Sequence, residues 1–345
     1  MKKAITIKDI AEQLGLSRNT VAKALNGQYV PPKTREIVIH KAKELNYKSL
    51  NIEKNEIAKD KKYRILLISG KPLNNIHYFV PIIKSIENYC YDHHYELFQY
   101  IFNKDINTFE GFLSYVKDFE ADGILTIESF DKDFITKLIH LNKPICFVDF
   151  CTFGNSIEGK YDIVETNNNQ PVFEITKYLI KKYGITKFCF VGDYKHCLSF
   201  QDRYHGMITA LLQEDIAHHK SDDILRSDCF DYGNVNSIKT EILKLKHKPQ
   251  CFICSNDFIA RSVCNALKEL NIKIPEAAMV VGYDNVSEAV LNNPTITSIG
   301  IHKEQLGVET IKTLLRRIEN PTAPIKRVII SPKIYFRSTT YRKEK

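Results

Sequence analysis

Long apolar runs, an export signal and the short motifs of common enzymes are missing from this 345-residue chain, and each absence removes a class of function. The start, MKKAITIKDIAEQ, carries two lysines but turns polar within a few residues, so it has no signal-peptide core. No later segment approaches the roughly 18 uninterrupted apolar residues of a membrane span. The expected compartment is the cytoplasm, with no membrane partner. No GxxxxGK phosphate loop, GxGxxG, HExxH or GxSxG is expected in this chain, which argues against an enzyme built on those chemistries. The pairs His93-His94 and His218-His219 are adjacent, so on helices they diverge and share a metal poorly; solvated helix ends are expected for them. Nine cysteines, an odd number scattered along the chain, read as reduced buried thiols rather than a disulfide framework. Cys251 and Cys254 form a CxxC inside a strand-like run, QCFICSND, where residues three apart point to opposite faces, so chelation is not expected. Neither a cofactor nor a metal is implied.

Also missing is excess charge over most of the chain. Residues 1–62 hold 14 Lys and Arg against 7 Asp and Glu, whereas the remainder holds 35 against 34. A small basic segment on a near-neutral body fits a polyanion-binding module, because neutralising phosphates releases counterions.

What that segment contains is three short helical patterns. Thr6 with Asp9 matches a capping box, Ile7, Ile10, Ala11 and Leu14 follow at helical spacing, and Gly15 ends the run. Ser17 is a good cap for a second helix that reaches about Leu25 before Asn26-Gly27 breaks it. At about 100° per residue, Arg18, Asn19, Ala22 and Lys23 fall within an arc of roughly 140°, while Val21, Ala24 and Leu25 take the opposite side. Pro32 suits the first turn of a third helix, with Val38, Ala42 and Leu45 as its buried stripe. Together these form a helix-turn-helix pattern. Arg18 can donate twice to guanine, Asn19 can pair with adenine, and Lys23 can reach guanine or phosphate. Ser17, Thr20 and Asn26, at the edges of that helix, could fix it against phosphates.

TIKDIAEQLGLSRNTVAKALNG, followed by PPKTREIVIHKAKELNY, resembles the DNA-binding headpiece of the LacI/GalR family of bacterial transcription regulators. Two departures stand out. Ala22-Lys23 occupies the place of the family's usual Ser-Arg, exchanging a forked donor for a point charge. After Tyr47 the family continues into a hinge helix whose leucine wedges into the minor groove, whereas this chain reads KSLNIEKNEIAKDKK and has Glu56 at that register. Residues 48–62 are expected to be a linker between a domain at 1–47 and a body at 63–345.

From Tyr63 onward, short apolar runs alternate with amphipathic segments: YRILLIS, YELFQYI, DGILTI and PICFVD, then after residue 160 YDIV, KFCFVG, QCFICS and AMVVG. The expected fold is an all-α headpiece followed by two doubly wound parallel α/β lobes. Ligands of such sheets bind beyond the carboxyl ends of strands, which makes Ser69, Glu128, Asp149, Asn256 and Asp284 positions of interest. The body also resembles the family's effector-binding core, itself similar to periplasmic sugar-binding proteins, in PICFVD, RYHG, CSND, VVGYDN, PTITSI and RST. That resemblance implies three crossovers between lobes: lobe 1 at about 63–160 plus 302–320, lobe 2 at about 161–301 plus 321–340. It further implies that Asp149, Arg203, Asn256 and Asp284 line a cleft, with Tyr78, Phe79 and Phe230 offering apolar contact to a sugar ring. Asn256 could equally be a helix cap and Asp284 part of a turn, while Arg203 has no comparable structural excuse. The resulting expectation is a homodimeric repressor that reads a pseudo-palindromic double-stranded operator under control of a small molecule of carbohydrate class.

Overall fold

Thr6 opens the first helix as its sequence demands. Its backbone N–H donates to Asp9 Oδ2 at 2.7 Å, the Asp9 N–H donates back to Thr6 Oγ1, and Gly15 closes the helix in the left-handed region at φ 63°. The computed structural model describes residues 5–25, 30–45, 47, 62–69, 76–102, 107–128, 131–150, 159–227 and 229–342. The chain divides into a unit at 1–62 and a unit at 63–345.

The first unit packs α1 (Ile7–Leu14), α2 (Arg18–Leu25) and α3 (Pro32–Glu44) around Ile10, Ala11, Val21, Ala24, Val30, Val38 and Ala42. These are the positions that helical periodicity assigns to the inside. Asn26, Gly27 and the linker at 48–61 lie outside the described residues.

The second unit contains two sheets. One has the order β10-β5-β4-β3-β1-β2, entirely parallel, from β1 (Arg64–Ser69), β2 (Glu96–Ile101), β3 (Gly123–Ile127), β4 (Ile145–Val148), β5 (Asp162–Thr166) and β10 (Arg327–Ile330). The other has the order β11-β9-β8-β7-β6, from β6 (Phe188–Val191), β7 (Cys251–Cys254), β8 (Met279–Asp284), β9 (Thr297–Gly300) and the antiparallel edge β11 (Lys333–Tyr335). A parallel bridge between Val191 and Ile224 extends its opposite edge. Helices α4 (Ile76–Asp92), α5 (Phe109–Phe119), α6 (Lys132–Ile139) and α12 (Lys303–Glu319) serve the first sheet. Helices α7 (Asn169–Tyr183), α8 (Leu198–Gln213), α9 (Val235–Lys244), α10 (Asp257–Glu269) and α11 (Ser287–Leu291) belong with the second.

The partition of strands differs from the sequence expectation in two places. YDIV, expected to begin the second lobe, is β5 and pairs with β4 and β10, and residues 327–330 also join the first sheet rather than the second. β5 is buried on both faces and reads as the same apolar run whichever sheet it enters, and β10 is an edge strand exposed along much of its length; hydrogen-bond register, which periodicity does not encode, decides the place of each.

A buried ion pair pins this arrangement. The Arg317 guanidinium, 1% exposed, donates to Asp162 at 2.6 and 3.2 Å and to the carbonyls of Ala323 and Pro324. It thereby ties the end of α12 to the start of β5 and to the turn before β10. Cys251 and Cys254 behave as the strand alternation requires, facing different cores as free thiols.

Candidate functional site

In the first unit, α2 buries Val21 and Ala24 and leaves Ser17, Arg18, Asn19 and Lys23 exposed. Ser17 Oγ caps the helix by accepting from the Thr20 N–H at 3.0 Å and lies 2.8 Å from Thr20 Oγ1. Those two hydroxyls therefore hold the helix start, and the outward chemistry of α2 rests on Arg18, Asn19 and Lys23. Three donors on one solvent-facing arc of a short helix suit the edge of a base pair in a major groove.

In the second unit, a cavity of about 570 Å³ opens at the carboxyl ends of strands from both sheets. Tyr78 and Phe79 of α4, Glu128 after β3 and Asp149 after β4 line it from one side. Asp193 after β6, Asn256 after β7, Asp284 at the end of β8, Arg203 of α8, and the loop residues Phe230 and Tyr232 line it from the other. All seven residues expected at a cleft thus meet around one space. Strand order reverses beside β1 and β6, and open α/β sheets bind ligands at such points. Glu128, Asp149 and Asp284 take positive φ of 56°, 60° and 96°, a backbone conformation uncommon for these residues that clusters at functional positions.

Arg203 has more structural reason than its sequence setting indicates. It is 3% exposed; Nε donates to Asn168 Oδ1 at 2.9 Å, Nη1 to the Ser255 carbonyl at 2.5 Å, and Nη2 lies 3.7 Å from Asp284 Oδ1. Its guanidinium stacks on Tyr283 at 3.6 Å. The residue bridges α7, β7 and β8 at the wall of the cavity, a role that requires residues distant in sequence and is invisible locally. Gly206, one turn along, admits no side chain, because a Cβ would sit 2.4 Å from the Asn169 carbonyl where α8 crosses α7. Asn256 does cap α10, accepting from the Ile259 N–H at 3.0 Å, whereas Asp284 is the last residue of β8 and it and Asn285 take positive φ of 96° and 48°.

Burial pushes the carboxyls of Asp149 and Asp284 above their ordinary range, while the Arg203 charge draws both back down. Tyr78 faces Asp149 at 3.5 Å, and burial raises its phenol well above the usual value. The Tyr232 hydroxyl is spent on the Arg226 backbone, leaving its ring as the part that meets the cavity. Ser199, Cys197, His196, Phe200, Phe258 and Asp231 also line the space. None carries a local motif; only strand-end and helix-start positions could have pointed to them.

Two expectations change here. The His218 side chain is 8% exposed rather than solvated, with Nε2 2.9 Å from Asp223 Oδ2. The cause is Asp223, whose other oxygen accepts the Phe190 N–H at 2.6 Å and which needs a partner inside the fold. In sequence Gly154, Gly159 and Lys160 do satisfy GxxxxGK, but Tyr161 stands where the motif has Ser or Thr, and β5 begins at Asp162 where the motif requires a helix. Among the described residues no helix is long and apolar enough to cross a membrane.

Comparison with known proteins agrees with both units. The model of bacterial regulatory proteins of the lacI family matches residues 6–49, and that of the periplasmic binding protein-like domain matches residues 176–340. The chain is 25% identical over 337 residues to the HTH-type transcriptional repressor PurR of Mannheimia succiniciproducens, covering 97% of this chain and 98% of that one. Among solved structures it is similar to a transcriptional regulator CelR–cellobiose complex, with a TM-score of 0.72 and 19% identity over 97% of this chain and 99% of that one. A lac repressor dimer bound to operator and the anti-inducer ONPF has a TM-score of 0.68 and 19% identity, covering 99% and 100%.

Proposed function

We propose that this chain is a transcription regulator of the LacI/GalR type that represses transcription from a pseudo-palindromic operator and is controlled by a saccharide bound in the 570 Å³ cavity. The single observation that carries the DNA half is the exposed Arg18–Asn19–Lys23 arc on a helix whose other face is packed. One short recognition helix makes few base contacts, so a homodimer reading two half-sites about one helical turn apart is the working assembly. A DNA-binding role places it in the cytoplasm and asks for no catalysis.

For the effector, carboxylates that accept from hydroxyls and aromatic faces that cover a sugar ring favour a polyol over an apolar ligand. The CelR–cellobiose complex supports the same class. A ligand that prefers one arrangement of the two sheets changes operator affinity through that preference. Arg18, Asn19 and Lys23 read bases, while Asp149, Arg203, Asn256, Asp284, Tyr78, Phe79 and Phe230 hold the effector.

The test is a pair of variants on the full chain. Arg18→Ala should weaken operator binding by about 1–3 kcal/mol while ligand-induced thermal stabilisation persists. Arg203→Ala should bind operator but lose the ligand response. An Arg203→Ala protein that folds and still responds normally would sink the cavity assignment.

A further inference from the structure

The cavity is unbalanced in charge. Among the described residues, Glu128, Asp149, Asp193, Asp231 and Asp284 line it, against one guanidinium, Arg203, and one imidazole, His196, with no lysine. The guanidinium is already committed to Asn168, Ser255 and Asp284 and stacked on Tyr283. Lys303, the first residue of α12, donates to the carbonyls of Asp284 and Asn285.

The helix starts at the cavity are likewise occupied. The Leu198 N–H at the head of α8 donates to the Phe150 carbonyl at 3.1 Å, and the Ser199 hydroxyl bonds to the Asp149 carboxylate. Asn256 caps α10 with its own side chain. A phosphate or carboxylate entering here would give up its hydration and find carboxylates instead of donors. A protonated amine meets the opposite situation, with carboxylates around it and the rings of Phe200, Phe230 and Phe258 lining the same space.

We propose that the cavity selects saccharides by charge, rejecting phosphorylated and acidic sugars and holding an amino sugar more tightly than its hydroxyl counterpart. This rests on the reading of the cavity as a saccharide site. The selectivity comes from the lining carboxylates, with Asp193 and Asp231 contributing at its less buried rim.

The experiment uses the full chain and matched sets of mono- and disaccharides in neutral, amino and phosphorylated or carboxylated forms: glucose, glucosamine and glucose 6-phosphate, with cellobiose, the β-1,4 glucosamine dimer and cellobionate. Thermal shift and titration calorimetry at neutral pH should order them amino, neutral, acidic, with the amino form favoured by about fivefold or more at low salt. In Asp231→Asn, the ratio of amino-sugar to neutral-sugar affinity should fall towards one, and an unchanged ratio overturns the part given to the rim carboxylates. An acidic member that binds as well as its neutral partner overturns the charge inference alone. Silence across every set overturns the saccharide reading beneath it.

Discussion

Asp257 is the residue whose chemistry departs furthest from its sequence setting. At the first position of α10 it looks like an ordinary acidic residue at a helix start, yet it is buried, and burial together with the neighbouring Asp284 charge pushes its carboxyl up to about 8. Its Oδ2 accepts the Val286 N–H at 2.9 Å, which opposes the shift without cancelling it. The folded chain thus holds a proton that the unfolded chain sheds near pH 4. The associated stability is complete below that pH and is lost as pH rises towards about 8. Urea midpoints should fall between pH 5 and 8.5, and Asp257→Asn should make the decline shallower; parallel profiles would remove the assignment. Arg317 is a second such residue, because it reads as the basic end of a helix but lies inside the fold on Asp162. Arg317→Ala leaves the buried carboxylate with only the Arg316 guanidinium at 3.3 Å and the Lys326 N–H, at an expected cost of about 3 kcal/mol in urea unfolding.

Elements were more legible than residues. Thr6, Gly15 and the Ile7–Ile10–Ala11–Leu14 spacing define α1, since caps and apolar periodicity act over a few neighbouring residues. Thr6→Ala should therefore cost the first unit about 1 kcal/mol, seen as a lower thermal midpoint of that unit by circular dichroism. KFCFVG and QCFICS are equally plain as strands β6 and β7. Helix crossings are less visible. Gly206 is needed only because α7 lies against α8, and Gly206→Ala should cost about 1–3 kcal/mol and displace Arg203 from the cavity wall. Equilibrium unfolding together with the ligand thermal shift would register both effects.

At the scale of the molecule, effector and operator share one free-energy cycle. If a saccharide changes operator affinity by some factor, operator must change saccharide affinity by the same factor, which parallel titrations can check. Operator binding should also weaken steeply with salt, in line with the basic charge concentrated in residues 1–62. The sequence by itself determined the helix-turn-helix unit, the strand runs and the outward arc of α2, because all depend on caps, periodicity and charge among near neighbours. It also carried the resemblance that pointed to Asp149, Arg203, Asn256 and Asp284. Only the tertiary structure decided that β5 and β10 join the first sheet, that Arg203 is held by Asn168, Ser255 and Asp284, and that five carboxylates meet around one cavity. Those facts depend on hydrogen-bond register and on side chains brought together from strands up to about a hundred residues or more apart in the chain, which no local pattern of apolar and polar residues records.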